Sequence, residues 1–296
     1  FYYEVNPFYV DTLDHKVIRK FIETSYVPYF EKYGNRIEGF FTDEPQISRN
    51  GIPWSFVFEE EYKSRYGENI LEHLEELFLP VADYKGTRVK FWKMVTDLFS
   101  SAFVKQIYDQ CQEWGLKFTG HLVLEETLES QVVSNGACMP HYEYFHIPGM
   151  DWLGRELRPV LTVNQLTSVA EQLGKDEVLT ETFGCSGHNV SFAELKGNME
   201  WQMVRGVTLL CTHLAGYSIR GIRKRDYPPA LFYQQPWWGE YEKFITAMSR
   251  EGMILSQGRK EVDVLLLHPQ TTAWTLFDNG ENAGLSELND KILEVM

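Results

Sequence analysis

Short apolar runs and segments of helical spacing alternate along almost the whole chain, and that alternation restricts the fold more than any single motif. The runs lie at residues 37–41, 117–124, 142–147, 177–182 and 207–214; helical spacing marks residues 15–33, 56–66, 70–78, 89–114, 162–173 and 192–204. In the helical segments apolar side chains recur every three or four residues, as at Phe91, Val95, Leu98, Ala102 and Ile107. Gly34 and Gly115 stand just past two predicted helix ends. Strand and helix alternating in this way build parallel β-α units. No glycine-rich nucleotide fingerprint follows a strand, whereas polar residues close nearly every one, so the pattern predicts a TIM-type (β/α)8 barrel rather than a doubly wound sheet.

Beyond a predicted helix at 238–255, Ser256-Gln257-Gly258-Arg259-Lys260 is polar and glycine-bearing, which marks a domain boundary. The run 262–269 then reads as a strand, and a new helix begins near Leu285. Residues 1–258 are therefore expected to be a partial barrel, and 259–296 the beginning of a following α/β domain. The chain opens on Phe1 and stops at Met296 inside an amphipathic pattern, which reads as a fragment truncated at both ends, the barrel incomplete at its N-terminal side.

Forty-two acidic residues against 28 basic ones leave a net charge of -14, which repels nucleic acid and anionic membrane and favours a neutral ligand. The four cysteines, Cys111, Cys138, Cys185 and Cys211, lie far apart without a Cys-x-x-Cys pair, so they read as free thiols. Free thiols favour the cytoplasm; a start without methionine leaves secretion open. No apolar stretch is long enough to span a bilayer.

Chemistry is expected at the carboxyl ends of the strands. Thr42-Asp43-Glu44-Pro45-Gln46 ends the first run with two carboxylates and a strand-breaking proline. Glu44 is the candidate catalytic acid, with a helix cap or ion pair as the plain alternative. Glu181 closes the fourth run, and together two such carboxyl groups are what glycosidic hydrolysis requires: one protonates the leaving oxygen, the other attacks carbon or activates water. Carboxyl groups about 5 to 9.5 Å apart would serve that reaction, and a much wider gap would mean binding only. Asp43, His121, Glu125, His146, Asp151, His188, His213, Tyr217 and Arg220 complete the candidate set as groups that meet sugar hydroxyls. His141, His146 and Asp151 support a different reading, a metal-dependent hydrolase. A carbohydrate-binding barrel without catalysis is a third.

Gly39-Phe40-Phe41-Thr42-Asp43-Glu44-Pro45-Gln46, Gly120-His121, Ile147-Pro148-Gly149-Met150-Asp151, Thr180-Glu181-Thr182-Phe183-Gly184, and Arg205-Gly206-Val207 leading to His213 and Tyr217-Ser218 together resemble the large TIM-barrel glycoside hydrolases. The resemblance is to α-L-rhamnosidase-like proteins near glycoside hydrolase family 106, and it covers roughly residues 1–270 in order. It implies that the Asp43-Glu44 strand matches the fourth barrel strand of the β-galactosidase-type superfamily, with Asp43 in place of an asparagine beside the acid/base. Glu181 would fall on the seventh strand, residues 207–217 on the eighth, and 262–269 on the first strand of a following α/β domain. Rhamnosidases of the resembling type invert configuration, and some bind calcium; the substitution at Asp43 leaves the stereochemical outcome open, and no metal or other cofactor is assigned to this chain.

Overall fold

The computed structural model describes residues 2–48, 51–157, 160–258, 260–278, 280 and 282–296. The chain divides into two compact units, one of Phe1–His146 with Leu266–Met296 and one of Ile147–Leu265. Arg259, in the polar stretch expected to separate two domains, lies outside the described residues.

In the first unit β1 (Gly39–Asp43) and β2 (Lys117–His121) run parallel, with Gly39 opposite Lys117 and Asp43 opposite His121. Two glycines permit so close a pairing. A Cβ on Gly120, whose φ is +134°, would overlap the Thr42 carbonyl oxygen, and one on Gly39 would overlap that of Lys117. Phe40 packs against Tyr26 and Trp114 with ring centroids 4.8 and 6.2 Å away, so strand alternation sends Phe41 and Asp43 to the opposite face. Between the strands a long helical run passes through Tyr84–Leu98, Phe99–Lys105 and Gln106–Glu113, the middle segment in π geometry. Its buried Trp92 meets Phe277 edge-on at 5.2 Å, and Trp274 donates to the Gly136 carbonyl at 2.6 Å. These contacts seat the helix Gln270–Leu276 in the core of this unit.

The second unit holds β3 (Ile147–Trp152), β4 (Leu179–Thr182) and β5 (Leu209–Thr212), all parallel, with Asp151, Glu181 and Cys211 side by side in register. Helices Leu161–Leu173 and Phe192–Met203 connect them. Phe183, Leu195, Met199, Met203, Phe244 and Met248 form the core of the second unit, each burial contributing about 1.5–3 kcal/mol.

The α/β class stands, but the expected (β/α)8 barrel is corrected. The described residues hold five strands, two in the first unit and three in the second, where a closed barrel of that type needs eight. Nor, among the described residues, does a strand follow the polar stretch. Residues 262–267 form no strand, and Val264, Leu265 and Leu267 are about four-fifths exposed (82%, 79% and 80%). An apolar run marks β-propensity, but a strand exists only where a neighbour takes up its backbone hydrogen bonds. The run at 142–147 is likewise displaced: Met139–Tyr142 closes as a helical turn with proline in its first positions, and the strand starts at Ile147.

Candidate functional site

Asp43 is the last residue of β1 and Glu44 the first of the loop. Glu44 holds φ at 48°, a left-handed conformation that costs a non-glycine residue about 1–2 kcal/mol. The loop is pinned from the N-terminal side: the Gln46 backbone N–H donates to the Tyr9 hydroxyl at 3.2 Å, and its carbonyl accepts from Thr12 at 3.1 Å. Across the strand pair, buried His121 brings Nε2 to 3.5 Å from Asp43 Oδ1, while Asp43 is largely exposed. The His121 Nδ1 lies 3.2 Å from the Leu122 carbonyl oxygen.

Glu125 is buried and accepts a 2.6 Å hydrogen bond from the Tyr142 hydroxyl. Burial, reinforced by that neighbouring carboxylate, pushes the Tyr142 pKa well up, so the phenol keeps the proton it donates. His146 accepts from the Phe118 N–H at 3.0 Å and stacks on Tyr108 at 4.2 Å. His141 is buried with both ring nitrogens engaged, Nδ1 to Ser100 Oγ at 2.7 Å and Nε2 to the Asn135 carbonyl at 2.8 Å. Burial lowers its pKa to about 4. A histidine so committed has no lone pair left for a metal.

In the second unit Trp152 packs on Trp201 of the helix Phe192–Met203 at 4.8 Å, and Thr180 and Thr182 bond to side chains of that helix. Alternation therefore turns Asp151, Glu181 and Cys211 to the face away from that helix. Glu181 is 16% exposed, and His213, one residue past β5, places Nε2 3.9 Å from its Oε1. The approach depends on Gly184, where an added Cβ would lie 2.8 Å from Leu153 Cδ2 and 3.3 Å from the His213 ring.

The loop after β4 is stitched on two sides. Gly154 N–H donates to the Gly184 carbonyl at 2.7 Å, and Arg155 bonds the Ser186 carbonyl, the Asn189 side chain and Glu194. On the other side the Gly187 N–H donates to the Pro228 carbonyl at 2.9 Å. Phe183 and Cys185 in this loop hold φ at 76° and 62°, so two further strained residues sit just past a strand end. His188 and Tyr217 line a cavity of about 230 Å³ with Arg223 and Asp226. Arg220 and its basic neighbours make no ion pair among the described residues. Trp237, from the aromatic tract, is packed against Phe192 and donates to the Val190 carbonyl at 3.1 Å.

The structure thus groups Asp43 with His121, Glu125 with Tyr142, and Asp151 with Glu181 and His213; Glu44 belongs to the first unit and Glu181 to the second. Sequence reasoning passes over Gln202 and Arg155. For Gln202 a signal exists: Asn198 and Gln202 are amides four residues apart on a helix face otherwise built from Leu195, Met199 and Met203. No such spacing singles out Arg155.

No helix among the described residues is long and apolar enough to cross a membrane. No protein-family model matches the chain, and no curated protein matches it. Among solved structures it is similar to that of a rhamnosidase from Novosphingobium sp. PP1Y, with 18% sequence identity over 87% of this chain and 26% of that one. The chain spans about a quarter of the length of that protein, and at a TM-score of 0.66 the likeness is one of fold.

Proposed function

We propose that the chain belongs to the catalytic region of a glycoside hydrolase that removes a terminal sugar, rhamnoside- or galactoside-like, from an oligo- or polysaccharide. Glu44 serves as general acid and Glu181 as base or nucleophile. The observation that carries this reading is Glu181: a largely buried carboxylate, in register with Asp151, on the sheet face turned away from the helix, with His213 beside it. Low solvent access raises the worth of any charge developing there. The fold likeness to a rhamnosidase is consistent with a sugar substrate, and the carboxylates, imidazoles and Tyr217 offer acceptors and donors for sugar hydroxyls. An inverting reaction would need the two carboxyl groups about 6.5–9.5 Å apart, a retaining one about 5–5.5 Å.

Screening the intact protein on nitrophenyl glycosides, α-L-rhamnoside and β-galactoside first, tests the reading. Turnover of one terminal glycoside, unaffected by chelator, is the expected result. Binding of the sugars without cleavage would reject the enzymatic assignment, and loss of turnover on chelation would favour the metal-dependent alternative, against which the two hydrogen bonds of His141 already stand.

A further inference from the structure

We infer that the cavity beside the 221–225 segment is a subsite for an anionic sugar residue, so that the substrate is an acidic carbohydrate. This rests on the carbohydrate reading above and narrows it. Arg220, Arg223, Lys224 and Arg225 crowd four cations into six residues of a chain whose net charge is -14. All four are exposed, and among the described residues none of their side chains makes an ion pair or a hydrogen bond. Several cations elsewhere are paired, Lys90 with Glu68, Arg65 with Glu61 and Asp97, Arg155 with Glu194, whereas these four stand together without a carboxylate partner. An unneutralised group of like charges repels itself, and an arriving anion relieves that repulsion.

The position is built rather than loose. The helical turn Gly221–Arg225 is held by His188, whose Nε2 lies 2.9 Å from the Lys224 carbonyl oxygen, and by the Gly187 bond to Pro228. Both anchors come from the loop that follows Glu181. The cavity, about 230 Å³, is on the scale of one sugar unit and is walled by Arg223, His188, Tyr217, Ser218 and Asp226. Asp226, its single acidic wall residue, offers an acceptor to hydroxyl groups, while Arg223 presents a planar fork that matches a carboxylate or a sulfate ester. Of the four cations Arg223 lines the cavity itself, and Arg220, Lys224 and Arg225 flank it in the chain and add to the positive potential at its side.

Titration calorimetry of the intact protein with an oligogalacturonide, with the same oligosaccharide after carboxyl reduction, and with inorganic sulfate as competitor tests the inference. The native oligosaccharide should bind about tenfold tighter than the reduced one, as one charge-assisted bond would give. The preference should shrink as salt rises and fall close to unity in Arg223→Gln and in the Arg220→Gln/Arg225→Gln pair, with sulfate competing in the wild type. Equal binding of the two oligosaccharides, or an acid preference that survives in all these variants, overturns it. Melting curves check that the exposed substitutions leave the fold intact. Since binding is read without turnover, it fails separately from the roles of Glu44 and Glu181.

Discussion

Replacing Gln202 by leucine tests how the strand carrying Glu181 is held. The Gln202 amide accepts from the Thr180 hydroxyl at 2.6 Å and donates to Thr182 Oγ1 at 3.1 Å and Asn198 Oδ1 at 2.6 Å. Gln202, Thr180 and Thr182 are fully buried, and the two threonines flank Glu181 on β4. Leucine keeps most of the volume and deletes all three bonds, leaving the Thr180 and Thr182 hydroxyls and the Asn198 amide oxygen each one partner short. At about 1–1.5 kcal/mol for each bond lost in a buried setting, the variant should lose about 3–5 kcal/mol. That is a large share of the roughly 5–15 kcal/mol that stabilises a domain. Urea unfolding followed by circular dichroism and tryptophan fluorescence measures it, with an unchanged slope showing that the native state is still compact. Adding Thr180→Val and Thr182→Val removes the two hydroxyls left short of a partner, so the triple variant should recover about half the loss. A loss below about 1 kcal/mol, or a triple variant no more stable than the single one, would show that the ladder does not hold β4.

Three further outcomes follow from the same geometry. Gly120→Ala should destabilise the first unit by about 3 kcal/mol or more, because its Cβ would overlap the Thr42 carbonyl oxygen at a φ that L-residues avoid; a thermal melt within a few degrees of wild type would refute the pairing of β1 and β2. Tyr142→Phe should cost about 1.5–3 kcal/mol by removing the donor to a buried carboxylate, measurable by the same urea titration; no change would mean that Glu125 does not depend on it. Burial keeps His141 neutral down to about pH 4, whereas the unfolded chain takes up a proton near 6.5. Stability should therefore be full above pH 6.5, fall as pH drops through that window and level off below about 4. His141→Gln should flatten this slope, and a slope that persists in the variant would assign it to another group.

The four strands at residues 39–43, 117–121, 179–182 and 209–212 lie within or overlap runs visible in the sequence, because short β-branched and aromatic runs bounded by turns report burial directly. The strand Ile147–Trp152 was hidden by Pro148-Gly149, which reads as a turn; its pairing with β4 begins only at Gly149, so proline falls before the ladder. Asp151 is a candidate on sequence grounds, but its place on the strand, directly beside Glu181, is not visible there. At 262–267 the error ran the other way, since propensity was present and a partner strand was not. The helix Leu128–Asn135 was missed although Thr127 and Ser130 form a reciprocal cap at its start: the serine at the third position replaces the glutamate that normally signals such a cap. Among the candidate residues, the placing of Asp43 and Glu181 on strands was legible from order along the chain alone. The 3.9 Å approach of His213 to Glu181 was not, because it depends on register and on the small size of Gly184.

The most direct test of the two-carboxylate account is kcat/KM for Glu44→Gln and Glu181→Gln on whichever nitrophenyl glycoside the wild type cleaves. Each substitution keeps the side-chain shape and removes the ionisable group. The account predicts that each falls by about a thousandfold or more at unchanged melting temperature, and that the double variant is scarcely worse than either, as for residues acting as one unit. Turnover within about tenfold of wild type in either variant would contradict it.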